Sequence, residues 1–256
     1  MADPLEVAVE TAREAGALLL DYLDRPLHST QKGRRADLVT DADRASERLI
    51  VKRLRAEFPD STIIGEEGGT HAGPSSERWY VDPLDGTTNF THRYPFFCVS
   101  IAYERSAELC AGVVYAPFYD ELFVAQRGAG AALDGKPLRV SAVERIGDAL
   151  VCTGFRPADF ARNGEHFRAM SGYAQAVRRD GSAALDLASV AAGRFDGFWE
   201  FDLSAWDVAA GALIVREAGG VVSGIGGSPF AVDGRAILAS NGRIHDQMLR
   251  VLSIPP

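Results

Sequence analysis

Cysteine is scarce in this sequence, and its placement excludes the usual uses of a cysteine framework. Cys98, Cys110 and Cys152 make an odd count without any Cys-x-x-Cys pair, so neither a disulfide scaffold nor a structural zinc site is expected. All three sit in apolar, strand-like stretches and read as buried thiols of a reducing compartment, which makes the cytoplasm the expected location. Histidines with metal-ligand spacing are also missing, since His28, His71, His92, His166 and His245 are scattered. There is no Ser-His-Asp set and no P-loop. Asp3, Glu6 and Glu10 interrupt any apolar run at the start of the chain, so neither a signal peptide nor a membrane span is expected there. Basic excess is absent: 27 Lys and Arg stand against 35 Asp and Glu, a net charge of −8. That balance argues against a nucleic-acid or membrane partner. No repeat, low-complexity tract or linker divides the 256 residues, so a single domain over 1–256 is expected.

Apolar residues make up 46% of the chain and charged residues 24%, enough to build a buried core. Asp3-Pro4-Leu5-Glu6 reads as a helix start, followed by Leu5, Ala8, Val9, Ala12, Ala15, Leu19 and Tyr22 at helical spacing. Residues 29–37, with Lys32, Gly33, Arg34 and Arg35, read as a basic, mobile loop. Thr40 opens a second helix with Ala45, Leu49, Ile50, Leu54 and Phe58 on its apolar side, and Asp43 stands at capping-box spacing. A short strand over 61–64 leads to Gly65-Glu66-Glu67-Gly68-Gly69 and a loose loop over 68–76. Strands are expected over 96–103, 108–115, 121–125, 138–140 and 150–153, together forming an antiparallel meander. Beyond it, a helix over 159–170, a strand over 175–178, a helix with Ala184, Leu187, Ala188 and Ala191 on one side, and a strand over 195–201 follow. Ser204 and Asp207 repeat the capping-box spacing ahead of a strong helix that Gly219-Gly220 stops.

The chemistry centres on Val81-Asp82-Pro83-Leu84-Asp85-Gly86-Thr87-Thr88-Asn89-Phe90. An apolar run ends at Val81, and two carboxylates follow it. Alone, the stretch fits an Asp/Gly/Asn-rich turn as well as it fits a cradle for a hard cation and a phosphate. Glu66, Asp82, Asp85 and Asp207 each fall where a strand ends or a helix begins. Clustered, they would repel one another by several kcal/mol at ~4 Å in a medium of effective dielectric ~20. Cations would then have to neutralise them, and oxygen donors without histidine favour Mg²⁺ over Zn²⁺. Taken alone, Asp43 and Asp207 are better read as helix caps, and an ordinary helix start explains Gly181-Ser182 as well as an anion site does.

Gly65-Glu66-Glu67, the Asp82–Phe90 stretch and Trp206-Asp207-x-Ala209-x-Gly211 resemble the signatures of the inositol monophosphatase family of Mg²⁺-dependent, lithium-sensitive phosphatases. The stretch around Gly181-Ser182-Ala183-Ala184-Leu185-Asp186 resembles its bacterial branch. The resemblance implies an α+β fold, a layered αβαβα sandwich, often homodimeric. It implies two or three Mg²⁺ held by Glu66, Asp82, the Leu84 carbonyl, Asp85 and Asp207. Thr87, held by Asp43, would polarise the attacking water, with Glu66 also counted among the catalytic groups. Gly86 and Thr87 would bind phosphate, Glu200 a sugar or inositol hydroxyl, and Gly181 and Ser182 would lie near the same ligand. Lys32 would fall in a loop that closes over the site. The implied reaction is hydrolysis of a phosphate monoester by a metal-activated water, with inositol 1-phosphate the first expectation. Fructose 1,6-bisphosphate, histidinol phosphate and 3′-phosphoadenosine nucleotides are the alternatives on the same metal core.

Overall fold

The computed structural model describes residues 2–25, 29–31, 38–155 and 160–253. α1 (Pro4–Leu23) starts as its sequence predicts: Asp3 is the N-cap, its Oδ1 accepting the Leu5 N–H at 2.9 Å. β1 (Ser29–Gln31) and β2 (Leu38–Thr40) pair as an antiparallel ribbon ahead of α2 (Asp41–Glu57). The start of the expected 29–37 loop is therefore strand, while Lys32 lies outside the described residues. Next come β3 (Thr62–Gly65), β4 (Gly69–His71), β5 (Arg78–Asp85) and the short α3 (Thr87–Thr91). The meander is β6 (Cys98–Arg105), β7 (Glu108–Ala116), β8 (Glu121–Gln126), β9 (Gly130–Leu133) and the minimal β10 (Lys136–Pro137). These strands form one eight-stranded sheet in the order β10-β9-β8-β7-β6-β5-β3-β4. Only the β3–β5 pair within it is parallel.

The remainder runs β11 (Leu150–Gly154), α4 (Phe160–Tyr173), β12 (Ala176–Arg178), α5 (Ala183–Ala191), β13 (Gly197–Phe201), α6 (Ala205–Glu217), β14 (Val221–Ser223), β15 (Ala236–Ser240) and α7 (His245–Leu252). Its five strands form a second sheet in the order β12-β11-β13-β15-β14, with β11 parallel to both neighbours.

Several sequence expectations need correcting. β5 does not stop at Val81; it runs through Asp85, and its pairing with β6 shifts register between Asp82 and Asp85. Pro83 has no N–H to give the ladder, which accounts for the irregularity. The expected loop over 68–76 contains β4, paired with β3. Residues 138–140 are not a strand: the Leu138 N–H still reaches the Ala131 carbonyl, but the Val140 N–H turns to the Ala218 carbonyl at the end of α6. β11 leaves the meander for the second sheet. Cys110 is only half-buried, while Cys98 and Cys152 are buried as expected.

Alternation along the strands divides the interior into three cores. Trp79, Val81, Val99, Ile101 and Val113 face α1 and α2, meeting Ala12, Leu19, Ile50 and Leu54. Tyr80, Ala102, Val114 and Phe123 point the other way, toward α5 and α6. The second sheet supplies Phe198, Ile237 and Ala239 to that middle core. Its outer face packs Trp199 and Leu238 on Met170 of α4 and Met248 of α7. The order is helices, sheet, helices, sheet, helices. Each fully buried large apolar side chain is worth ~1.5–3 kcal/mol.

The middle helices are pressed close. A Cβ at Gly112 of β7 would stand 3.0 Å from the Ala210 carbonyl of α6, and one at Gly211 would stand 2.5 Å from Leu187 Cβ of α5. Every residue of α5 is buried, not one side of it, because sheets cover both its faces. Among the described residues no helix is long and apolar enough to cross a membrane.

Candidate active site

The site forms where the parallel strands β3 and β5 end and the N-termini of α2, α3, α5 and α6 meet them. Gly65 pairs with Val81, so Glu66 and Asp82 leave neighbouring strands side by side. Asp82 is buried, 2% exposed, and its Oδ1 accepts the Leu84 N–H at 3.0 Å. Burial pushes its pKa well above the ordinary carboxylate value, and the charges of Glu66, Asp85 and Asp207 push it the same way. Acids from three places, the turn after β3, the end of β5 and the start of α6, therefore act together on Asp82.

Asp85 is moored to the start of α5. Its Oδ2 accepts the Ser182 hydroxyl at 2.8 Å and the Ala184 N–H at 2.7 Å. Burial raises its pKa to about 7, opposed by these bonds and by the Gly86 N–H, and assisted by Glu66. Ser182 is thus a tie to Asp85, and Cys98 Sγ lies 3.5 Å from the same hydroxyl. Asn89 completes the junction, its Nδ2 donating to the Phe96 and Asp180 carbonyls, each at 2.7 Å. Gly181 adopts φ 87°, with Asn89 Nδ2 3.3 Å from where its Cβ would be.

Gly86 turns the chain at φ 97° from β5 into α3, and a Cβ there would stand 2.9 Å from the Phe96 carbonyl. No side chain caps α3, which leaves its first N–H groups for an anion. Thr87 donates its hydroxyl to Asp43 Oδ1 at 2.9 Å, with the Leu84 carbonyl 3.2 Å away. Asp43 Oδ2 accepts from the Thr40 N–H at 2.8 Å and from the Thr40 hydroxyl at 2.5 Å. Asp43 is fully buried and its pKa is raised by desolvation, with the Thr40 and Thr87 bonds opposing. At α6, Asp207 Oδ2 accepts the Ser204 N–H at 2.6 Å in the second capping box.

Glu200 projects from β13 over Gly154, where a Cβ would lie 2.6 Å from its carboxyl carbon. Asp186 of α5 is fully buried, and neither carboxyl oxygen has a hydrogen-bond partner among the described residues. Burial drives its pKa well up, with Asp180, Glu200 and Asp85 adding to the rise and the nearby Cys152 thiol opposing it.

The sequence reading missed the polar face of α2. Ala45 and Leu49, expected inward, are only half-buried, while Asp43, Ser46 and Glu47 are buried. Ser46 donates to the Pro83 carbonyl at 2.9 Å. Glu47 accepts the Glu67 N–H at 2.8 Å and the Gly68 N–H at 2.5 Å. The available signal was polar residues at core-facing helical positions, Glu47 standing four residues after Asp43 and three before Ile50.

The donor set is oxygen alone, which fits a hard divalent cation. Among the described residues no three His, Cys, Asp or Glu side chains form a ready ion cage. Mg²⁺ does not need one: it keeps several waters and takes few carboxylates together with substrate phosphate oxygens.

The sequence matches the model of the inositol monophosphatase family over residues 1–254. It is 42% identical to an inositol-1-monophosphatase of Synechocystis sp., covering 98% of this chain and 89% of the relative. It is 43% identical to Nus factor SuhB of Pseudomonas aeruginosa, covering 98% and 97%. Among solved structures, extragenic suppressor protein suhB from Bartonella henselae superposes with a TM-score of 0.94 at 42% identity, covering 98% of each chain. Inositol monophosphatase from Anabaena follows at 0.89 and 41%, covering 98% of this chain and 96% of that one. The chain therefore belongs to the inositol monophosphatase family and is a phosphatase acting on phosphate monoesters.

Proposed function

We propose that the protein is a Mg²⁺-dependent inositol-1-monophosphatase, and that the strand ends of β3 and β5 are its reaction centre. The observation that carries this reading is the placement of Asp82 and Asp85 at the end of β5, with Glu66 and Asp207 near enough to act on buried Asp82, beside the Asp43–Thr87 hydrogen bond. Glu66, Asp82, the Leu84 carbonyl, Asp85 and Asp207 would hold two or three Mg²⁺. Bound there, the ions would neutralise the acids, polarise a phosphoryl oxygen and acidify a water.

The chain's own residues have distinct tasks. Asp43 takes the Thr87 hydroxyl proton in a hydrogen bond, which leaves the Thr87 oxygen as an acceptor that orients a water. The Thr87 N–H, and the Gly86 N–H it shares with Asp85, would receive the phosphate. Glu200 would accept from a hydroxyl of the leaving alcohol. Gly181 and Ser182 border that ligand, Ser182 chiefly by fixing Asp85. Fructose 1,6-bisphosphate, histidinol phosphate and 3′-phosphoadenosine nucleotides remain the competing substrates, because they differ only in what lines the alcohol side. The same proposal includes a homodimer and, given a net charge of −8, no nucleic-acid partner, although some relatives are called Nus factor SuhB.

The test is kcat/KM over a panel of these esters with Mg²⁺. Inositol 1-phosphate should lead, and Asp82→Asn or Asp207→Asn should abolish phosphate release while the fold persists. Equal turnover of wild type and either variant rules the site out, and a different leading ester changes the substrate alone.

A further inference from the structure

Glu47 lies on the face of α2 that Asp43 and Ser46 also use, 4% exposed. No Lys, Arg or His pairs with it among the described residues, so its charge is met by backbone. Both carboxyl oxygens are engaged: Oε2 by the Glu67 N–H at 2.8 Å and Oε1 by the Gly68 N–H at 2.5 Å. These two N–H groups immediately follow Glu66. A Cβ at Gly65 would stand 2.7 Å from Oε2, and one at Gly68 would stand 2.6 Å from Oε1. The glycines flanking Glu66-Glu67 thus make room for a carboxylate arriving from another element, and the turn is held rather than loose. Three neighbouring positions of one helix grip three parts of the site: Asp43 the Thr87 hydroxyl, Ser46 the Pro83 carbonyl and Glu47 the turn bearing Glu66.

We propose that Glu47 is a positioning residue that fixes the Gly65–Gly68 turn and so aims the Glu66 carboxylate at Asp82 and Asp85, raising the affinity of the site for its divalent cation. The proposal rests on the reading of Glu66 as a cation ligand. Partners that orient a metal ligand typically change metal affinity by ~10–100-fold when removed. Glu47→Gln retains size but turns an amide NH₂ toward one of the two N–H groups, so the turn loses an anchor.

The experiment titrates Mn²⁺ into the purified protein and follows free Mn²⁺ by electron paramagnetic resonance, with circular dichroism melts as the fold control. Glu47→Gln should weaken Mn²⁺ binding by ~10–100-fold, and the activity lost at limiting Mg²⁺ should return as Mg²⁺ is raised. Gly68→Ala, which crowds the same carboxylate from an exposed position, should act in the same direction and serves if Glu47→Gln does not fold. Because Glu47 acts through Glu66, the double variant Glu47→Gln/Glu66→Gln should bind no more weakly than Glu66→Gln alone. Additive losses, or wild-type Mn²⁺ affinity in both Glu47→Gln and Gly68→Ala, overturn the proposal. Wild-type affinity in Glu66→Gln overturns it by a separate route, by removing Glu66 as a ligand.

Discussion

Stripped of divalent cations, the folded protein should lose stability as pH rises, and Asp85 carries a share of that loss that can be isolated. Burial, assisted by Glu66, moves the Asp85 pKa from 3.8 to about 7 against the pull of Ser182, Ala184 and Gly86. In the unfolded chain the same carboxyl ionises near its ordinary value. Between the two values the folded state binds one proton more than the unfolded state, so stability is full below the lower value and falls by ~1.4 kcal/mol per pH unit above it. The fall is complete once pH passes the folded value and amounts to roughly 4 kcal/mol. For a chain of this length that corresponds to roughly 8–16 °C in Tm. Asp82 is displaced in the same direction, so the wild-type slope should be at least that of Asp85 alone.

Calorimetry on chelator-treated protein from about pH 4 to about pH 8 reads this directly. Asp85→Asn keeps an oxygen for the Ser182 hydroxyl and the Ala184 N–H but has no proton to lose. Without cation the variant should melt above wild type at the alkaline end, and the two should converge at the acid end. Added Mg²⁺ should stabilise wild type most at high pH, where it no longer competes with protons, and should stabilise the variant less. A wild-type Tm that stays flat or rises toward alkaline pH without cation, or a variant whose slope equals wild type, refutes the reasoning.

Asp186→Asn should likewise raise stability at alkaline pH, because burial lifts the Asp186 pKa and its ionisation therefore opposes folding above the unfolded value. The gain should shrink by ~1.4 kcal/mol per unit as pH falls toward that value, and a gain independent of pH in denaturant titrations contradicts a neutral buried acid. Gly112→Val should cost ~1–3 kcal/mol, since the added carbons meet the α6 backbone at Ala210, and an unchanged urea midpoint would show that α6 can move off β7.

Much of the fold was legible because its signals are local. Asp3-Pro4 and Thr40 to Asp43 announce helix starts that the structure reproduces with the expected bonds. The β7 and β8 strands follow their Val/Phe/Tyr runs closely. What failed was non-local. Nothing around Leu150 to Thr153 says that this strand joins a second sheet between β12 and β13, because sheet membership is decided by packing partners far along the chain. The apolar side of α2 was misplaced for a related reason. Asp43, Ser46 and Glu47 occupy buried positions that hydrophobicity assigns to Ala45 and Leu49, and they are tolerated there because Thr87, Pro83, Glu67 and Gly68 satisfy them. Of the candidate site, the acids and Thr87 were visible as residues. Their supports, Glu47 and the Asn89 bridge to Asp180, were not, since each joins segments distant in sequence.

Asp43 combines the two roles its sequence context offered, capping its helix and reaching Thr87 of the proposed site. One oxygen, Oδ2, takes the Thr40 N–H and hydroxyl, and the other, Oδ1, takes the Thr87 hydroxyl. The capping bonds fix the rotation of the carboxyl group, so the second oxygen reaches Thr87 without further loss of side-chain freedom. Asp207 begins α6 by the same device, its Oδ2 on the Ser204 N–H while its charge is felt at Asp82. A carboxylate at the third position of a helix faces the partial positive charge of that terminus, which offsets some of the repulsion of gathering acids before any cation arrives. The helix starts therefore do more than position the site: they lower the electrostatic cost of assembling it, and they tie the orientation of its acids to the stability of the helices that carry them.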